Sequence, residues 1–483
     1  MPAPHPTSGN TAVERVGAFI RDSGYLRKWL ILGVAIGIIA GLGAVVFYLA
    51  LDYTGKFLIG DLGGYHMPEA KESGGGAGSA GFVRPWAIPL IAFGGALVSA
   101  TLVARFAPEA EGHGTDSAIE AVHTDPRSIR GRAVVVKMLS SALTIGSGGS
   151  GGREGPTAQI SAGFGSLLTR AFNLSDADGR VAVSLGIGSG IGAIFGAPLG
   201  GAVLAASIVY REDFDYKALV PGFVTSGTAY AIYGSIMGFA PMFGFVEPEY
   251  RFDPAQLVWF LVIGIVSAAI GYLYARVFYG TVDLTHRLPG GKIVKPALGG
   301  LMVGLLALVI PQVLSSGYGW VQIATTREGL MTIPLWIVLI LPIAKIVATS
   351  LSIGTGGSGG IFGPGIVIGA FVGAAIWRLA DLAGAPALPA GPGVFVIAAM
   401  MACFGSVAHA PLAVMIMVAE MTGSFSVIPG AMIAVGVAYL MICRSSVSIY
   451  QAQRLNRETA AAERVAVPAP EILATPDDDE PRT

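Results

Sequence analysis

Glu154 is the only acid in the stretch GSGGSGGREGP, residues 146–156, where six glycines separate two long apolar runs. A related stretch, GTGGSGGIFGP, follows at residues 354–364. Each ends in Gly-Pro, and proline is favoured in the first turn of a helix. Both turns are therefore expected to deliver the backbone into a helix N-terminus. Such an end presents N–H groups without intrahelical acceptors and about half a positive charge. Glycine lets a ligand come close to that backbone. Two ends facing one another would hold a small anion through partial charges alone, loosely enough to release it again, as conduction requires. The carboxylate of Glu154 is itself an anion. It can occupy such a seat and block it, and once protonated it can leave. An ionisable group inside a membrane segment is a functional candidate by default, so Glu154 is expected to be a pH-sensitive gate. The competing reading is a salt bridge to its neighbour Arg153 at the water boundary.

The elements that must hold these turns are apolar. Of 483 residues, 53% are hydrophobic and 13% charged, about half the charged share of an ordinary soluble domain. The mean hydropathy is +0.67. A membrane helix needs ~20 mostly apolar residues. Candidate spans are 29–50, 86–106, 133–145, 157–172, 181–209, 219–243, 257–278, 296–313, 333–351, 362–379, 393–417 and 427–442, several of them too short or too glycine-rich to cross alone. Residues 1–28 read as a polar cytoplasmic lead, 29–244 and 245–455 as two transmembrane halves, and 456–483 as a disordered cytoplasmic tail. Basic residues favour the cytoplasmic side. Arg27 and Lys28 precede the first span, and Arg444, Arg454 and Arg457 follow the last. Both termini are therefore expected inside a cell membrane, together with the loop 286–295 and the cluster Arg127, Arg130 and Arg132. Residues 52–84 are expected outside.

The halves are related. KMLSSALTIGSGGSGGREGP, starting at Lys137, aligns without gaps to KIVATSLSIGTGGSGGIFGP, starting at Lys345, with 11 identities in 20. APLGGAVLAAS from Ala197 resembles APLAVMIMVAE from Ala410. Repeated halves in a membrane chain point to a pseudo-symmetric transport fold. A nucleotide-binding turn is the rival for GSGGSG, but it needs a strand before it and a βαβ unit around it; the flanks here are membrane-length apolar runs. A membrane enzyme built on that turn is kept only as a remote alternative. The six histidines are scattered without metal-ligand spacing, Cys403 and Cys443 read as free thiols in apolar runs, and a net charge of −1 gives no reason to expect nucleic acid.

GREGP, the second-half GGIFGP and a late SIYQA containing Tyr450 closely resemble the CLC family of chloride channels and proton/chloride exchangers, over about residues 30–455. The resemblance implies an all-α membrane protein with an inverted repeat of broken and tilted helices. It also implies a homodimer with one pore per subunit, no cofactor, and chloride as the ion carried. By position it makes Glu154 the gate. The amides of Arg153, Glu154 and Gly155 would line outer anion sites, those of Ile361 and Phe362 a central site, and the Tyr450 hydroxyl would donate from the inner side.

Two departures bear on function. The family's first anion motif, Gly-Ser-Gly-Ile-Pro, reads GHGTD here, so His113 and Gly114 take its place in the anion site. Histidine can replace the serine as donor and add pH sensitivity. Asp116 replaces the proline and is expected to cap the helix that follows. Second, the inner proton-carrying glutamate of exchangers falls on Ile208. Glu212 is left as a candidate proton source beside Glu154, and Glu420 reads as structural. The missing inner acid favours a passive chloride channel, with a proton-coupled chloride antiporter as the alternative.

Overall fold

The computed structural model describes residues 12–76, 78–79, 81–244, 250–445 and 447–466. Among these the chain is helical without a strand, and β-type pairing is confined to three isolated bridges. That follows from the solvent. Backbone polar groups in lipid must be satisfied within the protein, and a helix satisfies its own.

Among the described residues, six helices are long and apolar enough to cross a membrane: Tyr25–Leu62, Ala87–Phe106, Pro254–Arg287, Leu335–Ser352, Phe362–Leu382 and Phe425–Ile442. Others, such as Pro198–Ser207 and Pro411–Thr422, are too short to do so, since a helix rises 1.5 Å per residue against a hydrocarbon core of about 30 Å. Large apolar side chains such as Leu42, Val46, Val258, Ile265 and Leu440 are exposed on the helices. On a soluble monomer such a surface would be abnormal; on helices of membrane-spanning length it is the surface a lipid environment calls for. The glycine turns, by contrast, lie inside the protein, with residues 145–163 and 357–374 all buried. Irregular backbone at membrane depth is tolerated only in such protected places.

Three expectations are corrected, and the polar lead gains an element. The run 181–209 is two helices, Asp176–Phe195 and Pro198–Ser207, and 393–417 is likewise split into Gly393–Val407 and Pro411–Thr422. Each break puts one residue in the left-handed region, Gly196 at φ 65° and His409 at φ 51°, two residues before a helix-starting proline. The polar lead contains the helix Ala12–Asp22, whose Ile20 is buried in a cluster with Trp29 and Leu174. The tail opens on a helix too, Arg457–Ala466. The Arg457 amide donates to Asp213 Oδ2 at 2.9 Å, and its guanidinium donates to Asp215 Oδ1 at 3.0 Å. The rest of the expected tail, 467–483, lies outside the described residues, as do 1–11.

The relation between the halves is settled by hydrogen bonds made twice. Gly152 and Gly360 occupy matching positions of the repeat. The amide of each donates to the carbonyl of the other at 2.7 Å, an antiparallel bridge. An exchange of identical bonds between equivalent residues places a pseudo-two-fold axis between them. A Cβ on Gly360 would lie 2.8 Å from the Gly152 oxygen, so the crossing needs glycine. Around it, Ser141 and Ser358 share a hydroxyl–hydroxyl bond of 2.9 Å, and their counterparts Thr349 and Ser150 share another of 2.9 Å. Lys137 Nζ donates to the Ala110 and Gly112 carbonyls at 3.1 and 2.6 Å; its counterpart Lys345 donates to Val313 and Ser315 at 2.9 and 2.8 Å. Both lysines are fully buried. These bonds extend the repeat to a pair the sequence hides: Gly114, φ 83°, before the helix Thr115–His123, and Gly317, φ 81°, before Tyr318–Ala324.

Candidate anion pathway

Glu154 opens the helix Glu154–Ala171 and is fully buried. Its Oε2 accepts from the Gly363 amide at 3.1 Å, in the first turn of Phe362–Leu382, and its Oε1 accepts from the Tyr318 hydroxyl. The carboxylate of one half thus sits on the helix start of the other. No side chain caps that helix at Ile361, so its N–H groups and dipole are available to negative charge.

Arg153 is not the partner of Glu154. Its Nη2 pairs with Glu72 Oε2 at 2.9 Å, both side chains nearly buried, and Tyr233 donates to the same carboxylate at 3.0 Å. The guanidinium also lies over the rings of Tyr48 and Tyr318, at 5.0 and 5.6 Å from their centroids. A buried charge needs such partners, and these leave the carboxylate of Glu154 to the helix start.

On the other side of the Glu154 helix start stands an aromatic wall. Ile361 and Phe362 are buried, and the Ile361 carbonyl accepts from Tyr274 at 2.8 Å. The Phe362 ring packs on Phe404, which meets Tyr450 edge-on. Tyr450 is buried, and its hydroxyl lies beside the Thr115 side chain. His113 stands with its ring centroid 6.0 Å from that of Tyr450. Its backbone carbonyl presses on Gly155 so closely that a Cβ there would overlap it. The structure therefore brings together Glu154, Gly155, His113, Gly114, Ile361, Phe362 and Tyr450. It does not bring Glu212 to them: that residue is exposed on a loop whose backbone is tied to Leu455. Glu420 lies elsewhere too, accepting from the Leu199 and Gly200 amides at 3.1 and 2.7 Å and so bracing the start of the helix Pro198–Ser207.

Asp116 is not the expected N-cap. Gly114 holds that position. The Asp116 carboxylate instead accepts from His113 Nε2 at 3.1 Å, Tyr279 Oη at 3.2 Å, and the Gln451 and Ala452 amides at 3.2 Å each. It ties the segment carrying Tyr450 to the one carrying His113.

Two cavities approach the Glu154 region. One, about 380 Å³, is lined by Arg153, Tyr318, Glu72, Ser316 and Gly317. The other, about 490 Å³, is lined by His113, Gly112, Tyr279, Glu111 and Lys295. Their linings correspond across the axis: Ile145 and Gly146 with Ile353 and Gly354, Ser315 and Ser316 with Gly112 and His113. The first includes residues expected outside the membrane, the second the loop 286–295 expected inside.

Residues 95–442 match the family model described as "Voltage gated chloride channel". The chain belongs to the CLC family. It is 31% identical over 413 residues to an H(+)/Cl(−) exchange transporter of Salmonella agona, covering 83% of this chain and 82% of that one. Against the transporter of the same description from Yersinia pseudotuberculosis it is 30% identical over 464 residues, 92% of each chain. An uncharacterized protein of Methanocaldococcus jannaschii is 27% identical over 411 residues, 84% of this chain and 92% of that one. The fold matches a slow cyanobacterial Cl⁻/H⁺ antiporter at TM-score 0.73, with 22% identity over 90% of this chain and 98% of that one. It also matches a CLC-type fluoride/proton antiporter at TM-score 0.72, with 20% identity, 90% and 100% covered. The all-helical CLC architecture expected from the motifs is thus the one present, and the protein is an integral membrane, multi-pass CLC-type anion transporter.

Five residues of this CLC protein escaped the sequence reading: Tyr318, Tyr279, Glu72 and the lysine pair. Only the lysines left a signal, since Lys137 and Lys345 each open one of the two aligned 20-residue segments.

Proposed function

We propose that the protein is a proton-coupled chloride exchanger, not the passive channel that Ile208 suggests. The observation that carries this reading is the Glu154 carboxylate held by the Gly363 amide and the Tyr318 hydroxyl. A group that binds protons occupies the seat an anion would take. In the cycle proposed, chloride enters past the Tyr450 hydroxyl to the amides at Ile361 and Phe362, then displaces the carboxylate toward the amides of Arg153, Glu154 and Gly155. Displaced, Glu154 takes a proton and no longer competes for positive dipole ends. Its return and deprotonation expel the anion. The unprotonated carboxylate and chloride therefore exclude one another from the same place, and that competition ties the proton's movement to the anion's. The relatives described as exchange transporters support this reading. No cofactor takes part. The working unit is proposed to be a homodimer with a pore in each subunit, in the cell membrane, both termini cytoplasmic.

The test is transport in proteoliposomes. A chloride gradient is expected to drive protons uphill, at a fixed ratio to chloride. Chloride flux unaccompanied by protons would return the channel reading, whose supporting observation is the buried aliphatic Ile208 at the inner position.

A further inference from the structure

Exchange needs a group that takes protons from the inner side and hands them to Glu154, and the helix carrying Ala197 offers only the apolar Ile208 at the corresponding place. We propose that the His113–Asp116 pair is this inner proton-transfer site, and that the same imidazole binds the anion when protonated. The inference rests on the exchanger reading above.

The geometry is that of a polarised imidazole. Nε2 of His113 lies 3.1 Å from Asp116 Oδ2. An ionised carboxylate can only accept, so Nε2 carries the hydrogen and Nδ1 keeps its lone pair. Nδ1 is buried and has no hydrogen-bond partner. Asp116 is fixed by four donors, from His113, Tyr279, Gln451 and Ala452. That number of donors fixes the carboxylate and keeps the ring from rotating. A carboxylate behind an imidazole stabilises the imidazolium when it forms. Tyr450, whose hydroxyl adjoins the Thr115 side chain, stands next to the ring. The buried Nδ1 lacking a partner beside it points to a ligand that completes it. Chloride accepts from the Tyr450 hydroxyl in either state. It accepts from Nδ1 only once that nitrogen is protonated.

Access comes from the inner cavity of about 490 Å³, whose lining includes His113. The other charged or titratable groups around it are Glu111, His286, Lys292, Lys295 and Tyr279, and Lys137 braces the Gly112 carbonyl beside the ring at 2.6 Å. The step balances simply. Nδ1 takes a proton from cavity water, giving the imidazolium. The proton passes by way of water to the Glu154 carboxylate, giving the neutral acid, and the imidazole returns to its starting form.

Two measurements test this. In proteoliposomes, His113→Asn and Asp116→Asn are expected to lower chloride-driven proton pumping about tenfold or more while chloride flux persists, which also reports correct folding. Glu212→Gln is expected to pump as the wild type does. Independently, calorimetry of chloride binding in the Glu154→Gln background, in two buffers of different ionisation enthalpy over the range of about pH 5 to 8 where histidines change charge, should show proton uptake. It should also show chloride affinity rising several-fold as pH falls. Adding His113→Asn should abolish both. Wild-type protein that pumps, with variants that pump equally, overturns this assignment alone, as does proton uptake that survives loss of His113. Wild-type protein that carries chloride without protons overturns the exchanger reading and this one together.

Discussion

At the scale of single residues, the pathway depends on which groups compete for a helix start. Glu154→Gln keeps the shape of the gate without its charge. It is expected to abolish proton movement while chloride flux continues and loses its dependence on external pH; a pH profile like the wild type's would contradict the gate. Tyr318→Phe removes one of the two bonds from the second half that hold the carboxylate down. A hydrogen bond to a charged group contributes about 1.5–3 kcal/mol, so the carboxylate should be displaced more easily and chloride flux at neutral pH should rise several-fold, measured as ion efflux. Tyr450→Ala should weaken chloride binding at least several-fold by calorimetry, since it removes the proposed inner donor. Glu154 was legible because its surroundings are unusual: an acid among glycines in an apolar chain. Tyr318 was not. It lies in a short helix whose sequence matches its counterpart, Thr115–His123, almost only at the preceding glycine, and no pattern within one stretch shows a contact made across 164 positions.

At the scale of elements, the two glycine turns were readable because their shape demands particular residues, so both copies kept them. The helix breaks at Gly196 and His409 were not readable. Hydropathy runs through both, and one copy uses a glycine for the left-handed residue while the other uses a histidine whose Nε2 lies 3.1 Å from the Val447 carbonyl. The lysines show how an element can be held by a charge that touches no acid. Lys345 Nζ gathers two carbonyls of the 313–315 segment, the segment that leads into Tyr318. Lys345→Met fits the volume but leaves the Val313 carbonyl unsatisfied, at about 1–3 kcal/mol, and the Ser315 carbonyl with only the Gly151 amide at 3.4 Å. The variant should melt several degrees lower in detergent and weaken the hold of Tyr318 on the gate. Lys137→Met should lower the melting temperature less, since the Ala110 and Gly112 carbonyls keep the Ser358 hydroxyl at 3.1 Å and the Gly359 amide at 3.3 Å, with its functional effect on the His113 side instead. Equal effects of the two on outer and inner pH dependence would contradict the symmetry argument.

At the scale of the whole molecule, neither half contains a pathway. Glu154 comes from the first half and its Gly363 and Tyr318 partners from the second; Gly152 and Gly360 close the crossing between them. Residues 1–244 and 245–483 produced as separate chains should each fail to carry anions in liposomes, and should regain flux when made together. Flux from either piece alone would refute the shared pore.

The exchange of bonds between Gly152 and Gly360 also bears on polarity. A passage built on such an axis presents the same backbone to traffic arriving from either leaflet, so nothing in the glycine frame tells inward from outward. Any preference for one direction has to reside where the duplicate copies disagree, as at Tyr318 opposite Thr115, Ser316 opposite His113, Gly319 opposite Asp116, and the acid at 154 opposite Phe362. Such mismatched pairs are what an otherwise reversible scaffold leaves to set it.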